Sequence, residues 1–257
     1  MTPATPRTLR REDFAPARVR RAMATHSIAV IIPARDESGT VGGVLDAVLG
    51  DGDLLDEVVV VDDHSSDDTA TVARRHGARV VANDDRPGKG AALCAGVAAT
   101  TSDLLVFLDA DVRNTSDEYV ARLVQPLLEH DETVLVKGYY ERPLHDMPTG
   151  GGRVTELTAR PILSLLFPGL GEIRQPLAGE TALRRRIFDD VALDLDYGVE
   201  IALLIDVARV AGVSALAQVD LGVRRHRNRP LEELNPMAVE VLRSALARYG
   251  LELPTGR

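Results

Sequence analysis

The sequence predicts an α/β fold with a Rossmann-like, mostly parallel sheet flanked by helices. Between residues 27 and 111, four short apolar runs alternate with stretches of helical spacing. Repeated strand-then-helix units of this length form parallel strands joined by right-handed crossovers. Acids follow three of the four runs. They would therefore share the carboxyl edge of the sheet, where ligands of such folds collect.

The first half of the chain supplies these units in order. Strands are predicted over 27–34, 57–63, 78–84 and 103–111, because these runs are short, apolar and mostly rich in β-branched residues. Helices are predicted over 40–49, 67–76 and 88–100, and Ser65 or Ser66 could cap the second of them. Residues 1–26, rich in Arg and Pro, are interpreted as an arm with a turn or two of amphipathic helix near 14–23.

After residue 112 the alternation is less regular. Helices are predicted over 118–129, around 155–166, over 197–211 and over 236–249; strands are predicted over 133–140 and 218–225, and a loop over 143–152. We expect one continuous domain, with a Rossmann-like half at 27–112 and a second half at 113–257 that ends in an amphipathic helix.

Composition and charge exclude several classes of protein. With 45% apolar and 27% charged residues, the chain is not disordered. Its longest apolar runs are five residues, too short for a membrane span, and no secretory core is present, so we expect a cytoplasmic protein without a membrane partner. A net charge of −9 argues against binding to nucleic acid. Cys94 is the only cysteine, which excludes an intrachain disulfide.

The basic residues comprise 28 arginines and only two lysines, Lys89 and Lys137. A GC-rich genome would explain this bias as well as function would. The composition therefore indicates no mechanism, although the positions of the two lysines could matter.

Acidic pairs follow three predicted strands: Asp36-Glu37 the first, Asp62-Asp63 the second and Asp109-Ala110-Asp111 the fourth. The D-x-D pattern occurs three times in the chain, about as often as chance predicts, so the pattern alone indicates nothing. The context of the last group is more informative, because five strand residues run directly into it. Carboxylates at that edge could hold a nucleotide diphosphate and its divalent cation, or they could cap the next helix.

Two glycine-containing turns could bind anions. Gly88-Lys89-Gly90 begins a predicted helix, where backbone N–H groups and a lysine favour an anion; the alternative is a turn with a solvated lysine. No hydroxyl residue follows Lys89, so a Walker P-loop is disfavoured. The segment 150–155, GGGRVT, could form a cradle for a phosphate or carboxylate, or a loop without a ligand.

Two further positions are candidates. Residues 223–230, VRRHRNRP, place four arginines around His226, which could ligate a metal or be an ordinary surface histidine. Glu200 lies near the start of a predicted helix, where an acid usually interacts with the helix dipole. It gains interest only if that helix start faces a pocket.

Taken in order, the segments PARDE, VDDHSSDDT, GKG, DAD, GGGRVTELTARP, QPLAGE, YGVEIALLID and QVDLGVRRHRNRPL resemble the GT-A fold nucleotide-sugar glycosyltransferases. In particular, they are similar to the glucosyl-3-phosphoglycerate synthases, over roughly residues 28–249. The resemblance implies a GT-A fold in which 27–112 binds the nucleotide sugar and an abutting acceptor-binding subdomain lies in 113–257. It also implies a homodimer, to which the C-terminal helix could contribute.

The resemblance further implies a retaining transfer of glucose from UDP-glucose, or another nucleotide-glucose, to the 2-hydroxyl of 3-phosphoglycerate, with Mg²⁺ or Mn²⁺. The implied nucleotide-binding residues are Pro33, Ala34, Glu37, Asp63, Gly88, Lys89, Asp109 and Ala110. The donor sugar would contact Leu177, Tyr197 and Glu200, and the acceptor Gly152, Arg153, Thr155 and Asn228. Asp111 and His226 would bind the metal, and Glu200, Asp111 and Arg153 would be the catalytic residues.

Some features depart from the family pattern. Ala110 replaces the usual serine of D-S-D, the loops before GKG and GGGR are short, and Glu141 stands where a basic residue is expected. A different small anionic acceptor is therefore an alternative. A nucleotidyltransferase is disfavoured because PARDE, rather than a Gly-rich basic loop, follows the first strand. A non-catalytic nucleotide-sugar-binding protein would have no need to keep Asp111, Arg153 and His226 together.

Overall fold

The structure is a computed structural model, and it describes residues 4–50, 54–144, 147–150, 152–225 and 230–251. The strands are β1 Arg7–Leu9, β2 Ile28–Ala34, β3 Glu57–Asp62, β4 Arg79–Ala82, β5 Leu104–Phe107, β6 Leu135–Glu141, β7 Pro143–Leu144, β8 Met147–Gly150, β9 Thr181–Arg184 and β10 Leu216–Val223. The α-helices are α1 Pro16–Met23, α2 Val41–Leu49, α3 Thr69–Arg75, α4 Lys89–Ala99, α5 Tyr119–Glu129, α6 Arg160–Leu166, α7 Val199–Ala211 and α8 Leu231–Tyr249.

Eight of these strands form one sheet in the order β1-β10-β6-β9-β5-β2-β3-β4. All the pairings are parallel except those of β9, which runs antiparallel to both β5 and β6. The predicted mostly parallel α/β sheet is confirmed. Seven strands therefore end at one edge of the sheet, and β9 begins there.

Helices cover both faces of the sheet, as the alternating side chains of β2 show. Val30 packs in one buried cluster with residues of α2 and α5. Ile31 packs in a second cluster with residues of α4, α6 and α7. Because both faces are buried, β2 reads as a continuous apolar run rather than an alternating one. None of the described helices is both long enough and apolar enough to cross a membrane.

Most predicted elements are present with shifted ends, and three differ in extent or kind. The fourth strand ends at Phe107, so Asp109, Ala110 and Asp111 lie beyond it rather than within it. The last helix begins at Leu231, so Pro236 lies inside it rather than at its start. Within the expected loop 143–152, β7 and β8 form a short hairpin.

Two strands of the eight-stranded sheet were also not predicted. β1 lies within the segment interpreted as an arm and pairs in parallel with β10 at the sheet edge. β9 is the antiparallel strand in the centre of the sheet. The helix predicted around 155–166 begins with a π-helical turn at Thr155–Ala159 and continues as α6.

Candidate active site

An open cleft lies at the carboxyl edge of the sheet. It brings together the following residues singled out in the sequence: Pro33, Ala34, Glu37, Asp63, Lys89, Asp109, Ala110, Asp111, Gly152, Arg153, Thr155, Leu177, Tyr197 and Glu200. Gly88 adjoins the cleft through Lys89, and its N–H donates to Asp63 at 3.1 Å. His226 and Asn228 lie outside the described residues.

Lys89 joins two acids on the floor of the cleft. Its Nζ lies 2.6 Å from Asp109 Oδ1 and 2.6 Å from Glu200 Oε1. Lys89 begins α4, Asp109 follows β5, and Glu200 is in the first turn of α7. Burial alone would lower the pKa of Lys89, but the two carboxylates outweigh it and hold this pKa well above its usual value. Lys89 is therefore a permanent cation.

Arg224, just after β10, joins four further groups and is only 4% exposed. Its Nη2 donates to Asp109 Oδ2 at 2.7 Å and to Asp111 Oδ1 at 3.0 Å. Its Nη1 donates to the Tyr140 hydroxyl at 2.7 Å and to Glu180 Oε2 at 3.1 Å. Sequence reasoning placed Arg224 only within the basic stretch, because that pattern does not show which arginine turns inward.

Asp109 lies between the two cations. Burial alone would raise the pKa of its carboxyl group, but Lys89 and Arg224 hold it well below its usual range. Asp109 is therefore ionised, and both of its oxygens already accept hydrogen bonds from the protein.

Glu180 is another residue beside the site that sequence reasoning missed. It precedes β9 and is 1% exposed. Burial raises the pKa of its carboxyl group, against the lowering effect of Arg224. Its Oε1 has no hydrogen-bond partner among the described residues. QPLAGE was quoted as a family segment, but an isolated Glu gives no signal of burial.

The glycines of the GKG turn allow the chain to approach itself. A Cβ atom at Gly90 would lie 1.8 Å from the carbonyl oxygen of Asp194, and one at Gly88 would lie 2.7 Å from that of Leu195. The Leu195 carbonyl also accepts the N–H of Ala91 at 3.1 Å. This contact fixes Lys89 beside the segment that leads to α7.

The C-terminal helix α8 holds the same segment from the other side. Arg248 forms ion pairs with Asp194 (Nη2 to Oδ1, 2.9 Å) and with Asp206 (Nε to Oδ2, 2.7 Å). Glu240 accepts the N–H of Tyr197 at 3.1 Å. α8 also contributes cleft-lining side chains that were not predicted: Leu234, Met237 and Val241.

The glycine turn after β8 forms another wall of the cleft. Gly152 has a positive φ of 72°, which favours glycine. Thr155 is 2% exposed, and both it and Arg153 line the cleft. Arg142, which follows β6, lines the same wall. This wall adds two guanidinium groups to those of the floor, in a protein whose net charge is −9.

Asp111 is the described residue best placed to hold a cation. Its side chain is 31% exposed, and Arg224 binds one of its oxygens. Within the described ranges, no three His, Cys, Asp or Glu side chains converge on one point. A site with few carboxylates fits Mg²⁺ that is also held by substrate phosphates, rather than an ion caged by protein alone.

Comparisons with known proteins identify the family of this chain. Residues 29–191 match the family described as Glycosyl transferase family 2. A glucosyl-3-phosphoglycerate synthase from Mycolicibacterium paratuberculosis is 45% identical, covering 95% of this chain and 79% of that protein. The corresponding enzyme from Petrotoga mobilis is 40% identical, covering 89% and 76%.

Solved structures give the same result. The Mycobacterium tuberculosis enzyme in complex with Mn²⁺ and UDP-glucose is 42% identical, with a TM-score of 0.90 over 98% of this chain and 89% of the other. The same enzyme with Mn²⁺, UDP and glucosyl-3-phosphoglycerate has a TM-score of 0.90 at 41% identity, covering 98% and 90%. The fold of this chain is therefore the fold of those enzymes.

Proposed function

Because this chain belongs to Glycosyl transferase family 2, and within it to the glucosyl-3-phosphoglycerate synthases, we propose that it transfers glucose from UDP-glucose to the 2-hydroxyl of 3-phosphoglycerate. The observation that carries the proposal is the shared cleft. Lys89 and Asp109 on its floor and Arg153 and Thr155 on its wall border one space. A donor diphosphate and an anionic acceptor could therefore be held side by side.

The residues divide by wall. The nucleotide would be bound by Pro33, Ala34, Glu37, Asp63, Gly88, Lys89, Asp109 and Ala110. Leu177, Tyr197 and Glu200 would surround the glucose, and Gly152, Arg153, Thr155 and Asn228 would bind the phosphate and carboxylate of the acceptor. Two buried or partly buried cations, Lys89 and Arg224, lie beside the diphosphate position, where low solvent exposure strengthens their field.

Asp111 would hold a Mg²⁺ or Mn²⁺ ion together with His226. Such an ion, when bound, neutralises charge that develops on the diphosphate as it leaves. Relatives support it, since the Mycobacterium tuberculosis enzyme has been solved with Mn²⁺ and UDP-glucose and with Mg²⁺ and UDP.

We further propose that the transfer retains configuration by a front-face route. The bond between the anomeric carbon and the β-phosphate oxygen breaks, and a bond from that carbon to the acceptor 2-oxygen forms on the same face. The departing diphosphate takes the hydroxyl proton. Glu200 orients the sugar instead of attacking it, because its carboxylate is already ion-paired with Lys89 at 2.6 Å.

Measuring UDP release tests the reaction. We expect release that requires both 3-phosphoglycerate and Mg²⁺ and that stops on adding a chelator. Asp111→Asn should lower kcat/KM by about 100-fold to 1000-fold, as does loss of a group that stabilises transition-state charge. Asp190→Asn changes an exposed acid outside the cleft and should match the wild type.

Two outcomes would contradict parts of the proposal. Release that needs a different small anion instead of 3-phosphoglycerate would overturn the acceptor but leave glucosyl transfer intact. Release without any acceptor, or unaffected by chelation, would overturn the transfer itself. Arg153→Met should raise the KM for 3-phosphoglycerate more than the KM for UDP-glucose, since Arg153 is proposed to bind the acceptor.

A homodimer and a cytoplasmic location stay predictions. Apolar side chains are exposed on α8 and just after it. They are Val239, Tyr249 and Leu251, which are 45%, 52% and 48% exposed. A second copy of the chain could cover them. Light scattering would decide the oligomeric state, and a monomer at micromolar concentration would contradict the dimer.

A further inference from the structure

Lys137, the second of the two lysines, lies buried beneath the cleft. It is on β6 and is only 2% exposed. Its Nζ donates to the carbonyl oxygen of Ala178 and to Thr181 Oγ1, the latter at 2.9 Å. Neither acceptor is charged, and among the described residues the ammonium has no ion pair of the kind that usually accompanies a buried lysine.

Lys137 is nevertheless close to the reacting groups. It lines a small cavity under the cleft floor together with Lys89, Asp109 and Glu200. The chain has 28 arginines and two lysines, and both lysines face this one cavity. A lysine is a compact point charge, whereas an arginine is a broad planar fork. The presence of a lysine at position 137 therefore indicates that a compact cation is needed beside this cavity.

The two hydrogen bonds of Lys137 fix the turn that precedes β9. Ala178 follows Leu177, which lines the cleft. After it comes Gly179, where a Cβ atom would lie 2.0 Å from Asp109 Oδ1. The position of this turn therefore determines both the wall near the donor sugar and the room left for the carboxylate of Asp109.

We propose that Lys137 is a positioning residue for glucosyl transfer: its ammonium group fixes the turn at 177–180 and offsets the charge of Glu200 from beneath the donor sugar. The inference rests on the proposed function. Lys137 itself should contact neither substrate, because it lines only the small cavity and not the cleft.

The ammonium group of Lys137 loses its proton at a lower pH than an ordinary lysine does. Burial lowers the pKa of Lys137 from 10.5 to about 8. The carboxylates of Glu200, Glu180 and Asp109 oppose this lowering, whereas Lys89 adds to it. Tyr140, on the same strand, has its pKa raised by burial, so it stays neutral when Lys137 titrates. Above about pH 8, Lys137 should be neutral while Lys89 remains charged.

The sign of the stability effect follows from the lowered pKa. An ammonium whose pKa is lower in the folded protein than in the unfolded chain costs stability at pH values below both pKa values. That cost decreases as the pH rises from about 8 to 10.5. Replacing Lys137 with an apolar residue of similar length should therefore leave stability unchanged or raise it. If Lys137 served only to stabilise the fold, this replacement would instead lower the free energy of unfolding.

The experiment uses the two lysines as separate probes. In full-length protein with ¹³C-labelled lysine, NMR should show two lysine Cε signals, one titrating near pH 8 and one remaining protonated. Lys137→Met should remove the titrating signal. In steady-state assays the kcat of the wild type should fall above about pH 8. In Lys137→Met, kcat should be about tenfold to a hundredfold lower and should lose that alkaline decline, because the positioning of the reacting groups is lost.

Controls separate this proposal from the reaction itself. Thr181→Val removes one acceptor of Lys137 and should give an intermediate kcat, and the affinity of Lys137→Met for UDP should stay within about twofold of wild type. Wild-type kcat and alkaline decline in Lys137→Met, or a Lys137 signal that does not titrate below pH 10, would overturn the proposal. An inactive wild type would instead contradict the proposed function, and the NMR titration with and without UDP-glucose would still report on Lys137.

Discussion

At the residue scale, the environment of Glu200 limits what its carboxylate can do. Its side chain is 11% exposed, and its Oε1 lies 2.6 Å from Lys89 Nζ. A carboxylate whose oxygen is engaged by a cation is a weaker nucleophile. Glu200 is thus better suited to accept hydrogen bonds from a sugar than to form a bond to its anomeric carbon.

Glu200→Gln should therefore lower kcat moderately, by about tenfold to a hundredfold, because the amide keeps the shape but loses the ion pair with Lys89. Wild-type protein incubated with UDP-glucose and no acceptor should show no glucosyl adduct by intact mass spectrometry. An adduct on Glu200 would contradict the front-face route. Glu232→Gln, at an exposed acid in the first turn of α8, is the matched control and should keep full activity.

The buried pair of Arg224 and Glu180 is the part of the site that sequence reasoning could not find. Both side chains are almost fully buried, and their nitrogen and oxygen lie 3.1 Å apart. Separated by 44 positions, they meet only because the end of β10 and the start of β9 reach the same sheet edge. Residue type and local pattern carry no information on such a contact.

At the element scale, β9 explains why the second half of the site is hard to predict. Thr181–Arg184 is a four-residue strand without a long apolar run, and it is inserted antiparallel between β5 and β6. Its position comes from its neighbours, since β propensity reflects packing on adjacent strands more than the sequence of the strand itself. The four apolar runs of the first half were predicted because their signal is local.

The docking of the GKG turn on the segment before α7 gives a prediction about a single methyl group. Gly90→Ala would place Cβ 1.8 Å from the carbonyl oxygen of Asp194, a backbone atom that cannot simply rotate away. We expect a loss of about 1 to 3 kcal/mol in the free energy of unfolding. A large loss of kcat/KM should accompany it, because Lys89 moves with the turn.

The control for Gly90→Ala is Gly43→Ala. Gly43 is an exposed position inside α2, and a methyl group added there would have no other atom within 4 Å, so alanine should stabilise the helix by up to about 1 kcal/mol. Urea denaturation of both variants checks the pair. Equal stability of Gly90→Ala and wild type would show that the turn does not depend on this close contact.

At the scale of the whole molecule, the distribution of charge matters more than its sum. The net charge is −9, yet the cleft is lined by five cations, Arg35, Lys89, Arg142, Arg153 and Arg224, which balance its five acids, Glu37, Asp63, Asp109, Asp111 and Glu200. A surplus of acids elsewhere does not repel a small anion strongly once it is within the cleft, because salt screens charges beyond about 10 Å. The composition disfavours nucleic acid but cannot show where the cations gather.

Because the sheet interleaves strands from both halves of the chain, we expect the two halves to unfold together. β9 belongs to the half after residue 112 but pairs with β5 of the half before it, so the two halves share one sheet and border one cleft. Calorimetry should therefore show a single cooperative transition.

UDP with Mg²⁺, at a concentration about 100 times its Kd, should raise the unfolding free energy by about 2.7 kcal/mol and move that whole transition upward. UDP with a chelator should raise the temperature of the transition by less. UDP with Mg²⁺ should also raise it by less in the Asp111→Asn variant than in the wild type. Two transitions, with only one of them moved by the ligand, would show instead that the nucleotide-binding half folds and binds without the rest of the chain.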